Sequence, residues 1–360
     1  MNDHRTPEPV FAWLGGQRDN VGDSALRRAY ADALRPLGPL VVWSGGPHGD
    51  YDPGLGLAPD DRVCRSFLAW TGALLARAVR GGAVLALNAG EYTLTHRYFL
   101  KSLLLLPVAA ILRLRGGRVV WAGAAIPRAR RGYGWLFRLY ARMANVLLWR
   151  DSETADVLYP AATMPDWAFA LAPEETPAED APIDATTRPY LVVSLRFDRP
   201  LPSREWAREV QAMADRLGLR LLLVTQVRRD DARAREVLGM LDHAELLTWG
   251  EPDHRARELR VRSVYRDARV VLSDRLHVLI MAATEGAVPL GWVEAATTKI
   301  DRHFGEVDLA WVATPSALAS LAQLDDARLR EMSAEVSAST AASRARLDDV
   351  TRLISEVHAR

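Results

Sequence analysis

At 360 residues the chain is long enough for two average domains, and 49% hydrophobic with 25% charged residues is the profile of a soluble globular protein with ample core. A balance of 46 basic against 45 acidic residues, net +1, excludes a globally biased nucleic-acid or membrane binder. The single cysteine, Cys64, excludes an internal disulfide or a thiolate zinc cluster, and with a polar Met1–Pro9 stretch lacking a signal-peptide core it predicts a cytoplasmic setting. Lys101 and Lys299 are the only lysines, an arginine bias that reads as codon usage in a GC-rich genome.

In chain order, short apolar runs alternate with longer amphipathic segments. Strands are predicted at Val10–Leu14, Leu40–Trp43, Ala83–Leu87, Val119–Gly123 and Val146–Trp149. Between them helical spacing covers Ser24–Leu34, Val63–Val79, Arg97–Arg113, Tyr133–Met143 and Glu153–Leu158. The most apolar stretch, Lys101–Leu112, holds Pro107 and falls short of the roughly 20 residues a spanning helix needs. It reads as a buried helix, with peripheral docking at a membrane left open.

The character then changes. Ala172–Pro189 carries Pro173, Pro177, Pro182 and Pro189 among acidic and small residues, the composition of an interdomain linker. After it strands are predicted at Tyr190–Leu195, Leu219–Val224, Ala244–Trp249, Arg269–Leu272 and Val288–Trp292. Helices intervene at Ser203–Arg216, Asp230–Leu241, Asp253–Arg266 and Arg275–Thr284, and a helical tail runs from Asp325 to His358. The expected fold is α/β: two Rossmann-like domains facing a cleft, with a C-terminal helical tail. The boundaries follow as 1–172 for the N-terminal domain, 173–189 for the linker, 190–324 for the C-terminal domain and 325–360 for the tail.

Ligands of open α/β sheets bind beyond the carboxyl ends of strands, near helix N-termini, and two segments suit that place. The first is Gly15-Gly16-Gln17-Arg18-Asp19-Asn20-Val21-Gly22-Asp23-Ser24. Its glycines permit close approach of backbone to ligand, Asp23 or Ser24 can cap the following helix, and neither a P-loop nor a GxGxxG spacing is present. A plain glycine-rich turn is the competing reading. The second is Ser273-Asp274-Arg275-Leu276-His277, directly after a strand, with Arg275 and His277 in the first helical turn. There Arg275 can grip a carboxylate or phosphate through two parallel bonds, the helix N-terminus adds N–H groups, and His277 can supply a proton near neutral pH. A structural histidine is the competing reading.

Arg196 ends the strand before it and suits the same anion. Arg150-Asp151 reads equally as a local ion pair or cap. Asn88, in Asn88-Ala89-Gly90-Glu91, suits a site floor; Trp249 and Trp292 suit sugar stacking or plain core; Lys299 suits phosphate contact or a solvated surface charge. No HExxH, His-x-His, aspartate-rich loop or GxSxG is present, so no metal and no resident cofactor are expected, and fixed cations with proton transfer should carry the chemistry.

Taken together, the segments resemble the polysaccharide pyruvyl transferase family. The likeness rests on Gly15-Gly16 with Asn20-x-Gly22-Asp23, Arg150-Asp151, Asp166-x-Ala168-Phe169, Ser194-Leu195-Arg196, and Ser273-Asp274-Arg275-Leu276-His277 followed by Gly286-x-x-Pro289 and Lys299. It departs at Leu87-Asn88-Ala89-Gly90, where a glycine triplet is expected, and at Thr154, where a serine is more usual. The resemblance implies a GT-B-like fold and a bacterial cell-envelope transferase with phosphoenolpyruvate as co-substrate. Its acceptor would be a sugar, lipid-linked or not, with the acceptor on the N-terminal side and the donor on the C-terminal side. It implies Arg196, Arg275 and His277 at the donor, and Leu276 and Lys299 join them by position. The donor's chemistry makes His277 the general acid, and position alone suggests Asp23 as base, with Asn20, Gly22, Asn88 and Trp249 lining the acceptor or its loop. The alternatives are a nucleotide-sugar glycosyltransferase of similar architecture and a non-catalytic glycan-binding protein of envelope biosynthesis.

Overall fold

The computed structural model describes residues 8–46, 49–92, 95–126, 132–171, 188–292, 299–313 and 321–358. Of the predicted linker, Ala172 and the residues up to 187 lie outside them. Contacts divide the chain into two units. Met1–Gln17, Leu26–Trp167 and Ala345–Arg360 form one; Arg18–Ala25 and Ala168–Arg344 form the other.

The first unit holds a parallel sheet with strand order β3-β2-β1-β4-β6-β5, and β7 pairs with β6. The strands are β1 (Val10–Trp13), β2 (Leu40–Trp43), β3 (Arg62–Val63), β4 (Val84–Ala86), β5 (Gly90–Glu91), β6 (Arg118–Ala125) and β7 (Val146–Trp149). Register is direct: Val10 lies opposite both Leu40 and Val84. β4 pairs with the start of β6 and β5 with its end, so Leu87-Asn88-Ala89 interrupts one strand line. Every residue of β1 and β4 is buried, as parallel strands covered on both faces must be.

Three helices, α2 (Phe67–Arg80), α3 (His96–Leu114) and α4 (Gly134–Met143), share one core. Trp70 and Leu74 of α2, Leu105 and Leu112 of α3, and Phe137 and Tyr140 of α4 bury against Phe11, Leu85, Val119 and Trp121 of the strands. Ser66 caps α2 and Thr95 caps α3, each accepting from an N–H of the first turn. Among the described residues no helix is long and apolar enough to cross a membrane.

The second unit holds a parallel five-stranded sheet, order β10-β9-β8-β11-β12. Its strands are β8 (Tyr190–Ser194), β9 (Arg220–Val224), β10 (Glu245–Leu247), β11 (Ala268–Ser273) and β12 (Val288–Gly291). Its helices are α6 (Arg204–Leu217), α7 (Asp231–Leu238), α8 (His254–Arg266), α9 (Leu276–Thr284) and α10 (Lys299–Gly305). Trp206, Val210 and Met213 cover one sheet face at helical spacing. Helix α9 is buried at all nine positions. The tail forms α11 (Asp326–Ser355), whose Leu329 and Met332 join the core of the second unit. The two parallel sheets, their covering helices and the C-terminal helix match the α/β architecture expected from the sequence.

Several local differences have plain causes. Strands β3 and β5, two residues each, lack an apolar run and escaped notice. Helix α10 falls where no element was expected, and Ile300 and Phe304, four apart, anchor it at 4% and 0% exposure. The strand expected at Ala244–Trp249 shrinks to Glu245–Leu247 because the Trp249 N–H leaves the ladder for Asp231 Oδ1, 3.1 Å away. Helix α1 (Val21–Leu34) begins three residues before its expected start.

Candidate functional site

In the second unit the chain winds outward from β8 through β9 to β10, then returns to place β11 on the other side of β8. The carboxyl ends of β8 and β11 therefore mark a topological switch point, where open α/β sheets bind their ligands. Polar side chains knit the two ends together. The Ser273 hydroxyl donates to Ser194 O at 2.5 Å, and Ser273 Oγ accepts from the Arg275 N–H at 3.0 Å. Asp274 Oδ1 accepts the Arg196 N–H at 2.9 Å. Burial pushes the Asp274 carboxyl up to about 6; that amide bond and the charges of Arg275 and Arg196 pull it back only in part.

Two guanidinium groups stand at this point, and each is held by a carboxylate. Arg275, at the N-cap of α9, pairs through Nε and Nη2 with both oxygens of Asp230. Asp230, 1% exposed, also accepts the Phe197 N–H at 3.0 Å. Arg196 pairs through Nε and Nη2 with Asp198 at 2.8 and 2.7 Å. That pair raises Arg196 and lowers Asp198 to about 2. In both arginines the side edge is taken, which leaves the end-on edge to face an anion.

His277 lies in the first turn of α9, 7% exposed, with Nδ1 at 3.9 Å from Asp23 Oδ1. A β-carbon on Gly22 would fall 2.4 Å from Cβ and 2.6 Å from Nδ1 of His277, so only glycine lets that backbone lie against the imidazole. The start of α1 is the element that brings Asp23 there. Its cap is Asn20, whose Oδ1 accepts the Gly22 N–H at 3.1 Å; Asp23 and Ser24, the expected caps, sit inside the first turn.

The sequence assigned this loop to the N-terminal domain, whereas Arg18–Ala25 belongs to the second unit. Backbone bonds explain the difference: Arg228 N–H donates to Asp19 O at 2.8 Å, and Val21 N–H to Gln226 O at 3.4 Å. Ser24 Oγ lies 2.8 Å from His254 Nδ1, and His254 Nε2 donates to Arg18 O.

The first unit has a switch point of its own, between β1 and β4. There the Asn88 amide donates to Gly15 O at 2.8 Å and accepts from Arg27 Nε at 2.9 Å, while Arg27 Nη2 donates to Ala89 O at 3.1 Å. Asn88, expected to line an acceptor floor, thus spends its amide on joining two loops, and it belongs to the other unit from His277. Arg150 and Asp151 take the structural option: Arg150 pairs with buried Asp166 at 2.5 Å, and Asp151 caps α5 (Ser152–Val157). Thr154, the departure from the family pattern, accepts the Ile126 N–H at 2.8 Å.

Of the two readings open for Trp249, the geometry is that of packing: it is 9% exposed, edge-on to His254 at 5.4 Å, with Arg228 at 5.0 Å and Arg257 at 5.9 Å from its ring centroid. Trp292 packs on Trp206 at 5.7 Å. Leu276 is 6% exposed and serves the α9 core. Lys299 opens α10, half-buried. The carboxylates Asp230 and Asp198 were missed by sequence reasoning. Asp198, two residues after Arg196, was within reach of local pairing; Asp230 is 45 residues from Arg275 and carried no signal. Among the described residues no group of three or more His, Cys, Asp or Glu side chains is placed to hold a metal ion.

Among solved structures the chain resembles a UDP-glucosyltransferase from Polygonum tinctorium, with a TM-score of 0.55 and 12% identity over 97% of this chain and 99% of that one. It likewise resembles the UDP-GlcNAc 2-epimerase of Neisseria meningitidis, TM-score 0.53 and 9% identity over 90% and 94%. Acinetobacter baumannii MurG matches with a TM-score of 0.50 and 13% identity over 97% and 99%. At such identities the likeness establishes the GT-B-like fold alone. No curated protein sequence matches. Residues 20–288 match the family described as polysaccharide pyruvyl transferase.

Proposed function

The chain belongs to the polysaccharide pyruvyl transferase family, and from that premise we propose that it moves the enolpyruvyl group of phosphoenolpyruvate onto two hydroxyls of one sugar. The product is a pyruvate ketal on a cell-envelope polysaccharide or its precursor. The observation that carries this reading is the first turn of α9 at the β8–β11 switch point, where His277 is flanked by Asp23 and preceded by Arg275.

The chemistry asks for three things. C3 of the enol takes a proton while C2 accepts the first sugar oxygen, whose proton passes to a base; the C2–O bond to phosphate then breaks, and the second hydroxyl closes on C2 and loses its proton in turn. Negative charge gathers on the departing phosphate, and the end-on edges of Arg275 and Arg196 meet it together with the N-terminus of α9. His277 is the proton donor to C3. Asp23, at 3.9 Å from Nδ1, orients that imidazole. Its second task is the base role toward a sugar hydroxyl, and Lys299 contributes a further cation to the donor. The reaction runs in the cytoplasm and needs no metal and no resident cofactor, because charge stabilisation falls to arginines.

Incubation with phosphoenolpyruvate and candidate envelope sugars, free and lipid-linked, tests the reading through phosphate release and ketal formation. Turnover should survive a chelator. Absence of phosphate release with every acceptor, alongside tight binding of a nucleoside diphosphate, would move the protein to the glycosyltransferase class.

A further inference from the structure

We propose that the outer faces of α2, α3 and α4 in the first unit form a docking surface for an anionic lipid bilayer. The three helices bury their inner faces in a single core on one side of the sheet, α2 packs on α3, and α3 packs on α4. Their outward faces therefore form one layer.

That layer is apolar where surface helices are usually polar. On α2 the exposed stripe runs Leu68, Gly72, Leu75 and Val79, spaced at four, three and four residues, with Leu68 at 68% exposure. On α3 it runs Leu100, Leu103, Leu104, Pro107 and Leu114, the last 85% exposed. Trp135 at the start of α4 is 47% exposed and lies edge-on to Phe99. Single exposed leucines need no explanation, but two parallel stripes with an indole beside them mark a contact surface.

The charge pattern names the partner. Between residues 62 and 150 there are 15 arginines and lysines against one acid, Glu91, in a chain whose total is nearly neutral. None of the three helices carries an Asp or Glu. The cations bracket the apolar stripes: Arg97 and Arg115, both exposed, flank the two ends of the α3 stripe, and Arg80 ends that of α2. Leucines and an indole that enter the headgroup boundary, ringed by arginines that meet lipid phosphates, are the requirements of interfacial binding. A second copy of the same face would bring cations against cations, so self-association is opposed.

The test uses the full chain in co-sedimentation with vesicles of phosphatidylcholine alone or mixed with phosphatidylglycerol. It needs no substrate, so its outcome is independent of the proposed reaction. We expect binding to the mixed vesicles, at least about tenfold weaker to phosphatidylcholine alone and weakened by salt. Leu103→Gln with Leu104→Gln, and separately Arg97→Glu with Arg115→Glu, should each cut binding about tenfold or more while circular dichroism stays unchanged. Vesicle binding that is absent, or indifferent to both pairs, overturns the proposal. So does a dimer in analytical ultracentrifugation that the leucine pair dissociates, which would assign the face to a second copy.

Discussion

Oδ1 of Asp23 stands 3.9 Å from Nδ1 of His277, and the residue before Asp23 is a glycine whose missing side chain makes that approach possible. The pair joins the start of α1 to the start of α9, 254 positions apart by residue number. If His277 protonates the enol, His277→Gln should leave donor affinity largely intact and cut single-turnover rate by about 10²–10⁴-fold. Asp23→Asn should act through the same step and lower the rate less. A folded His277→Gln protein with wild-type turnover would make the imidazole structural.

Gly22→Ala should harm both fold and activity. The added carbon would lie 2.4 Å from His277 Cβ, an overlap that neither backbone can relieve without moving. A cost of about 1–3 kcal/mol is expected in chemical denaturation. His277→Gly in the same chain removes the clashing atom and should restore part of the loss. A Gly22→Ala protein of unchanged stability would mean that the two helix starts are not in contact.

The fork between Arg275 and Asp230 predicts unequal effects. Asp230→Ala strips a nearly buried guanidinium of its partner and should destabilise the second unit by about 3 kcal/mol. Arg275→Lys keeps a charge yet loses the planar edge, so donor affinity should fall about tenfold or more. Isothermal titration with phosphoenolpyruvate separates the two. Undiminished affinity in Arg275→Lys would remove Arg275 from the donor site.

Asp274 makes stability depend on pH. Its carboxyl lies at about 6 in the fold against 3.8 as an ordinary aspartate, with burial as the main cause. The fold thus prefers the protonated acid. Its contribution is complete below 3.8 and is lost as pH rises through about 6. Asp274→Asn removes the penalty and still offers an oxygen to the Arg196 N–H. Above pH 7 the variant should exceed wild type by about 1–3 kcal/mol, the gap closing toward pH 4. Denaturant titrations at several pH values check this, and a pH-independent gap would contradict it.

Much of the fold was legible along the chain because parallel strands buried on both faces read as unbroken apolar runs. Leu40–Trp43 and Val146–Trp149 were located to the residue. Arg196, Arg275 and His277 were visible for a related reason: residues at strand ends and in first helical turns are positioned by local periodicity.

Their partners were not visible. Asp230 reaches Arg275 across 45 residues, and the backbone bonds that attach Asp19 and Val21 to Arg228 and Gln226 cross more than 200, so the unit in which Asn20, Gly22 and Asp23 reside was beyond any local pattern. Asn88 and Trp249 show the same limit from the other side. Their types suit ligand contact, yet their polar and aromatic surfaces are spent on Gly15, Arg27, His254 and Arg257. Local periodicity decides which residues reach a strand end or a helix start. Which of them remain open to a ligand depends on long-range hydrogen bonds and packing, and those exist only once distant segments have met.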